Sequence, residues 1–159
     1  KEKKYFRLQP RARAFGAQLS WLQWLYLKQT HIESLPSIIH LPISSQYKMK
    51  TPVWNWQSRL CLEIIDPLKE GASFTLKRCE VLLRHHIHSP AYFSLIQPAN
   101  HPIREYLALL VQLGFLKKQK DKEYIKTGPL VFHRHLEEAL AQDEKLLERL
   151  RNAARHEIY

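Results

Sequence analysis

The sequence has 159 residues, of which 45% are hydrophobic and 25% charged, as expected for a chain that folds around a core rather than staying disordered. Its net charge of +10 makes a polyanion, nucleic acid above all, the expected partner. No apolar run reaches the roughly 20 residues of a membrane-spanning helix, and two cysteines are too few for a disulfide framework. We therefore expect a reducing setting, either cytoplasmic and nucleoid-associated or nuclear. The start at Lys1 and the single methionine, Met49, indicate a piece of a longer chain.

The N-terminal arm is strongly basic. Residues 1–13 carry six Lys and Arg against one Glu, which is half of the chain's positive surplus. A basic arm gains affinity for nucleic acid by releasing counterions, and a solvated tail without a specific role is an equal alternative. The arm residues that we expect to contact phosphates are Lys3, Lys4, Arg7, Arg11 and Arg13.

A Trp-rich helix is predicted over residues 12–29, because apolar residues recur there at helical spacing. They cover more than one face, which indicates a core helix. Docking of a protein partner through Trp21 and Trp24 is the alternative. Three prolines make residues 30–52 a connector with at most a short edge strand. Residues 1–52 are thus predicted to form a first segment of arm, helix and connector.

Further helices are predicted along the middle of the chain. The first covers residues 53–70, with Pro52 at its start and Pro67 ending or kinking it. The others cover residues 75–87, with Ser73 or Thr75 as the cap, then 90–97, and finally 102–113, which Gly114 ends.

A basic β-hairpin follows. Phe115 and Leu116 are predicted to begin a strand, KKQKDK (117–122) to form the turn, and EYIKTG (123–128) to return. This succession over residues 74–127 resembles winged helix-turn-helix DNA-binding domains, at the level of the superfamily. The resemblance implies a mainly α fold with a small β-hairpin, in which a winged-helix core carries N-terminal and C-terminal helical extensions. The winged-helix domain with its preceding helix is expected to cover residues 53–129.

The segment at 100–112 is the expected base-reading element of such a domain. Its broad apolar face must be buried, whereas Arg and Gln on the opposite face can form paired hydrogen bonds with base edges. Ordinary solvated charges are the alternative. The residues that we expect to contact DNA here are Asn100, His101, Arg104, Glu105 and Gln112.

Lysines dominate the predicted turn. The resemblance implies that such a basic wing contacts the DNA backbone or the minor groove. Lysines that keep a hairpin edge from aggregating are the alternative. The lysines concerned are Lys117, Lys118, Lys120 and Lys122.

The C-terminal segment, residues 130–159, is predicted to be a helix with a leucine stripe. Spacings of three and four residues indicate pairing with another helix. The resemblance favours a homodimer, and packing against the Trp-rich helix is equally open. The stripe consists of Leu136, Leu140, Leu147 and Leu150.

Enzymatic chemistry is not indicated. The nine histidines and two cysteines lack the spacings of a zinc site, and four isolated glycines form no phosphate loop, so we expect no metal, cofactor or catalysis. A nuclease site built from Asp66, Glu70 or Glu80 ranks below the binding functions.

The predicted function is binding of duplex DNA in transcription regulation or in replication and mobile-element control. The alternative is a winged-helix protein–protein adaptor in a larger nucleic-acid-processing assembly.

Overall fold

The computed structural model describes residues 16–88 and 101–158. The arm lysines and arginines, the predicted helix at 90–97 and Asn100 lie outside these residues. The described part is mainly helical, with one three-stranded antiparallel sheet. The helices are α1 (Gly16–Leu27), α2 (Val53–Leu60), α3 (Leu76–Leu83), α4 (Pro102–Gln112) and α5 (Leu136–Ile158), and the strands are β1 (Ser73–Thr75), β2 (Leu116–Lys120) and β3 (Glu123–Lys126).

The chain divides into two compact units, which group the segments differently from the predicted domains. One unit combines residues 1–40 with 131–159, and the other covers residues 41–130. In the first unit, α5 packs on short 3-10 turns at Ile32–Ser34 and Ser37–His40. The His133 N–H also donates a 2.9 Å hydrogen bond to the Ser34 carbonyl. Residues 41–52 accordingly belong with the second unit.

In the first unit, α1 is a core helix that ends in an exposed apolar tip. Trp21 and Leu25 are fully buried, whereas Tyr26 is 82% and Leu27 78% exposed. The helix ends because Gln29 adopts a left-handed backbone (φ 54°). The Thr30 N–H then donates to the Leu25 carbonyl.

The long helix α5 buries a narrower face than predicted. Ala139, Asp143 and Leu146 form this buried face. The predicted leucine stripe flanks it, and Leu140 is 39% exposed.

In the second unit, α2 begins after Pro52 and continues through a π-helical turn, Cys61–Ile65. Pro67 ends it, as predicted, because proline supplies no N–H for a further turn. The helix buries Trp56 and Leu60. The side chain of Gln57 is also buried, and it both accepts from the Leu41 N–H (2.9 Å) and donates to the Leu41 carbonyl (2.8 Å).

The sheet contains a strand that the sequence did not predict. β1 has only three residues and pairs with β3, giving the strand order β1–β3–β2. Phe74 of β1 stacks on Tyr124 of β3 with their ring centroids 5.8 Å apart. Thr75 ends the strand and caps α3, because its hydroxyl accepts a 3.2 Å hydrogen bond from the Arg78 N–H.

The hairpin is tighter than predicted. Residues 117–120 belong to β2, and the turn consists of Asp121 and Lys122, whose φ is 66°. The expected six-residue turn is therefore wrong. Lysine and glutamine are tolerated in β2 because it is an edge strand with one side in solvent. A bulge shifts the register between Lys118 and Lys120.

Two buried polar contacts hold the second unit together. Lys126 is 5% exposed, and its Nζ donates to the carbonyls of Asp66 (3.1 Å) and Leu68 (2.7 Å), where α2 leaves carbonyl groups without helical donors. The Cys61 Sγ lies 3.0 Å from the Tyr106 Oη in the core. Burial raises the pKa of both Cys61 and Cys79 to about 12, so the two thiols stay protonated.

Candidate nucleic-acid interface

The helix α4 presents a polar face opposite its buried face. Its buried side chains include Ile103, Tyr106, Leu107 and Leu110, as predicted, whereas Val111, an apolar residue of the same pattern, is only partly covered and lines the cleft side instead. Gly114, with φ 88°, ends the helix in the left-handed region that favours glycine. The opposite face carries Arg104, Glu105, Ala108, Val111 and Gln112.

An open cleft of about 400 Å³ lies between α4 and the hairpin. One wall is formed by α4. The other comes from Lys118 of β2 and Tyr124 of β3, which are paired across the two strands and point to the same side of the sheet. The lining residues are Arg104, Glu105, Ala108, Val111, Lys118 and Tyr124.

Three charges meet at the mouth of this cleft. The Arg104 Nη2 donates a 3.0 Å hydrogen bond to the Asp121 Oδ1, and the Lys118 Nζ lies 3.7 Å from the same oxygen. Asp121 is 72% exposed, whereas Arg104 is 22% exposed. One carboxylate at the hairpin tip thus neutralises two cations of the cleft, and it does so from an exposed position where ion pairs are weak.

Glu105, which also lines the cleft, holds the loop at residues 44–45 in place. Its carboxylate accepts from the N–H and the hydroxyl of both Ser44 and Ser45, over distances of 2.6 to 3.1 Å. Burial opposes its ionisation, but these hydrogen bonds outweigh that effect and lower the pKa of Glu105. The Glu105 carboxylate therefore already holds the loop at residues 44–45. Its predicted contact with a base stays a prediction.

His101 caps α4. Its Nδ1 accepts a 3.2 Å hydrogen bond from the Ile103 N–H, and its Nε2 lies 3.8 Å from the Glu80 carboxylate. Burial, with the positive charges of Lys48 and Arg104, lowers the pKa of His101 to about 4. The ring is therefore neutral at physiological pH, as an accepting Nδ1 requires. Lys48, whose positive charge helps to lower the pKa of His101, is fully buried, and the sequence did not identify it as part of the site.

The other predicted DNA contacts are exposed but dispersed. Gln112 lies two turns from Arg104 on α4, about 12 Å along the helix axis. Lys117, Lys120 and Lys122 are exposed on the hairpin. Lys126 of β3, which was not among the predicted contacts, is buried, and its ammonium group donates to backbone carbonyls of the fold.

The second unit accounts for all of the positive surplus that lies outside the arm. Residues 41–130 contain thirteen Lys and Arg against seven Asp and Glu, a surplus of +6. That surplus belongs to the unit that contains α4 and the hairpin. It supplies the long-range attraction that a nucleic-acid-binding surface needs.

The predicted partner-docking residues lie in the first unit. Trp21 is fully buried and Trp24 is partly covered, so the accessible apolar surface of α1 lies instead at Tyr26 and Leu27. The sequence pattern could not predict that Tyr26 and Leu27 are exposed. Because α1 is apolar around its whole circumference, its pattern does not distinguish the buried face from the exposed one.

The histidines serve the backbone. The Nδ1 atoms of His31, His101 and His135 accept N–H groups at the starts of helical segments. Within residues 16–88 and 101–158, no three His, Cys, Asp or Glu side chains converge as they would around a metal ion. Over the same residues, no helix combines the length and the apolar character needed to cross a bilayer.

Comparison with known proteins gives one family. The model of the family described as Competence protein CoiA, C-terminal domain, matches residues 1–140. Neither the curated proteins nor the solved structures contain a match to this chain. The family match covers α1 to α4, the whole sheet and the start of α5.

Proposed function

We propose that this chain, which belongs to the CoiA C-terminal domain family, binds double-stranded DNA through a winged helix within residues 53–129. The order of elements supports the proposal, because α3, α4 and the β2–β3 hairpin follow one another as the resemblance implies. The family is named for competence. We take competence as the process served, in place of transcription regulation or replication and mobile-element control.

The observation that carries the proposal is the cleft between α4 and the hairpin. Arg104 from the helix and Lys118 from the strand approach one carboxylate there, so the same two cations can approach one phosphate. Lys117 and Lys120 pair with Ile125 and Glu123, so they point to the opposite side of the sheet from Lys118 and add charge to the hairpin without facing the cleft. Lys122 adds a further exposed charge at the turn. A cationic hairpin beside an exposed helix face is suited to hold a duplex by its backbone.

The roles of the two elements differ in this proposal. The hairpin lysines bind phosphates and set the orientation of the duplex without reading its sequence. Arg104 joins Lys118 in binding a phosphate, whereas Gln112 offers an amide donor and acceptor toward a base edge in the major groove. Ala108 lies between Arg104 and Gln112 on the same face, and its small side chain permits close approach of the helix to the groove.

The proposal is tested by an electrophoretic shift on a random-sequence duplex at about 50 mM salt, where basic DNA-binding proteins bind well. We expect wild type to bind and Arg104→Ala and Lys118→Ala each to weaken binding by about 5- to 20-fold. Lys69→Ala removes an equal charge from an exposed position away from the cleft and is the matched control. If all three variants bind like wild type, the assigned surface is wrong.

A second candidate function is that of a protein adaptor, which the exposed tip of α1 favours. Tyr26 and Leu27 present contiguous apolar surface, and tyrosine is a common anchor of protein interfaces. In that case wild type fails to shift the duplex, and a Tyr26→Ser/Leu27→Ser variant loses its protein partner while keeping its fold. Duplex binding that this double variant retains favours the first candidate.

A further inference from the structure

The leucine flank of α5, defined as Leu136, Leu140 and Leu147, has no role in DNA binding. These side chains lie beside the buried face of the helix rather than on it, and all three stay partly or largely exposed. A half-exposed row of leucines at spacings of four and seven residues fits a second helix. Leu140 is 39% exposed, and apolar side chains that lie exposed in one row mark an interaction surface.

The charge of α5 changes sign along its length. Outside the buried face, residues 136–144 carry three acidic and no basic side chains, whereas residues 145–152 carry Lys145, Arg149 and Arg151 against Glu148. The first stretch therefore presents a charge of −3 and the second a charge of +2. Two such helices side by side repel when they run parallel and attract when they run antiparallel.

We propose that the leucine flank of α5 pairs with the same flank of a second copy of this chain, in an antiparallel two-fold dimer. A two-fold interface is self-complementary, so every contact occurs twice. The sign change makes α5 complementary to itself in the antiparallel orientation. This inference is independent of the proposed DNA binding, because it uses other residues in the other unit.

One register satisfies both the leucines and the charges. When Leu140 stands opposite the partner's Leu147, the antiparallel arrangement places Glu137 within one residue of the position opposite the partner's Arg151. One residue is about 1.5 Å along a helix, well within the reach of these side chains. Arg151 also lies 4.0 Å from Glu148 on its own helix, an exposed and therefore weak pair with which Glu137 would compete. The two-fold axis then yields two leucine contacts at the centre and two ion pairs outside them. Apolar contacts inside charged pairs are the usual anatomy of helix pairing.

The test is sedimentation equilibrium of the full chain from about 1 to 100 µM, a range that brackets ordinary helix-pair dimers. We expect a dimer whose dissociation constant rises at least about 10-fold in Leu140→Glu, because a charge then enters the leucine contact. Val81→Glu adds the same charge at another exposed apolar position, in the other unit, and should leave the dimer unchanged. Circular dichroism confirms that both variants remain folded.

The orientation is tested by exchanging charges. Glu137→Arg and Arg151→Glu should each weaken the dimer about 3- to 10-fold, and the double variant should restore it, since the pair is re-formed with its signs reversed. A monomer throughout the concentration range overturns the proposal. A dimer that Leu140→Glu leaves intact overturns the assigned surface, and weakening that the double variant fails to repair overturns the antiparallel arrangement.

Discussion

Arg104 on α4 and Asp121 at the hairpin tip are joined by a 3.0 Å ion pair, although 17 residues separate them in the chain. The pair links the two elements of the proposed interface at the mouth of the cleft. Because Asp121 is 72% exposed, the pair stabilises the fold by less than about 1 kcal/mol. A DNA phosphate, whose two non-bridging oxygens match those of a carboxylate and which also lies in the field of a polyanion, can therefore replace Asp121 on Arg104 and Lys118.

Replacing Asp121→Asn should strengthen DNA binding. Two cations lose their internal counter-charge, so their attraction for phosphate no longer competes with a carboxylate, and we expect affinity to rise about 3- to 10-fold at 100 mM salt. Fluorescence anisotropy with a labelled duplex measures the change. Glu70→Gln, which removes one exposed negative charge away from the cleft, corrects for net charge. Equal gains in both variants would show that Asp121 has no special relation to the site.

Replacing Gln112→Ala should relax sequence preference without weakening attraction to the backbone. A paired amide–base contact discriminates between base pairs by about 1–3 kcal/mol, whereas the amide carries no charge and releases no counterion. Selection from a randomised duplex pool, followed by sequencing, should show one position that becomes degenerate. An unchanged selected motif contradicts the assignment of Gln112.

Replacing Lys126→Met should destabilise the second unit. The buried ammonium donates to two carbonyls at the end of α2, and methionine fills similar volume but leaves both carbonyls without a donor. We expect the free energy of unfolding in urea to fall by about 1–3 kcal/mol. Lys120→Met, at an exposed position of the neighbouring strand, should cost less than about 0.5 kcal/mol. Equal losses of unfolding free energy in the two variants would contradict the structural role of Lys126.

His101 should make the fold sensitive to mild acid. Its pKa is about 4 in the folded chain against 6.5 for an ordinary histidine, so below pH 6.5 the unfolded chain binds a proton that the folded chain does not. Stability therefore falls as the pH decreases from 6.5 to 4, by about 1 kcal/mol once solvent screening is allowed for. Protonation at Nδ1 also removes the cap of α4.

His101→Asn keeps a capping acceptor but has no titrating ring. Its unfolding free energy should vary less between pH 6.5 and 5 than that of wild type. Glu105, whose pKa is lowered, adds its own loss of stability only below about 4.5, outside this window. Parallel pH profiles of the two proteins would contradict the assigned role of His101.

The sequence predicts α4 and its surroundings well because strong local signals coincide there. Pro102 at the first turn, Gly114 at the end and apolar residues at helical spacing agree, and the structure places the helix at Pro102–Gln112. Pro52 and Pro67 bound α2 for similar reasons. The strand β1 escaped prediction because three residues with one buried aromatic contain no alternation to detect.

The site itself depends on contacts between distant residues, which no local pattern contains. The ion pair between Arg104 and Asp121 and the four hydrogen bonds of Glu105 join positions 17 and about 60 residues apart. The sequence likewise does not show that Lys118 is exposed and Lys126 buried. Lys126 is buried because the segment that follows α2 lies against β3 and offers its carbonyl groups to the ammonium.

The central claim, duplex binding by the surface of Arg104 and the hairpin lysines, is tested most directly by the salt dependence of affinity. The measurement is the association constant of wild type and Arg104→Ala for a random duplex between about 50 and 300 mM salt. Each phosphate that a cation neutralises contributes a slope of about −0.9 to a plot of log affinity against log salt. We expect a slope of about −4 to −6 for wild type, less steep by about one in Arg104→Ala. Absent binding at 50 mM salt, or identical slopes for the two proteins, would contradict the claim.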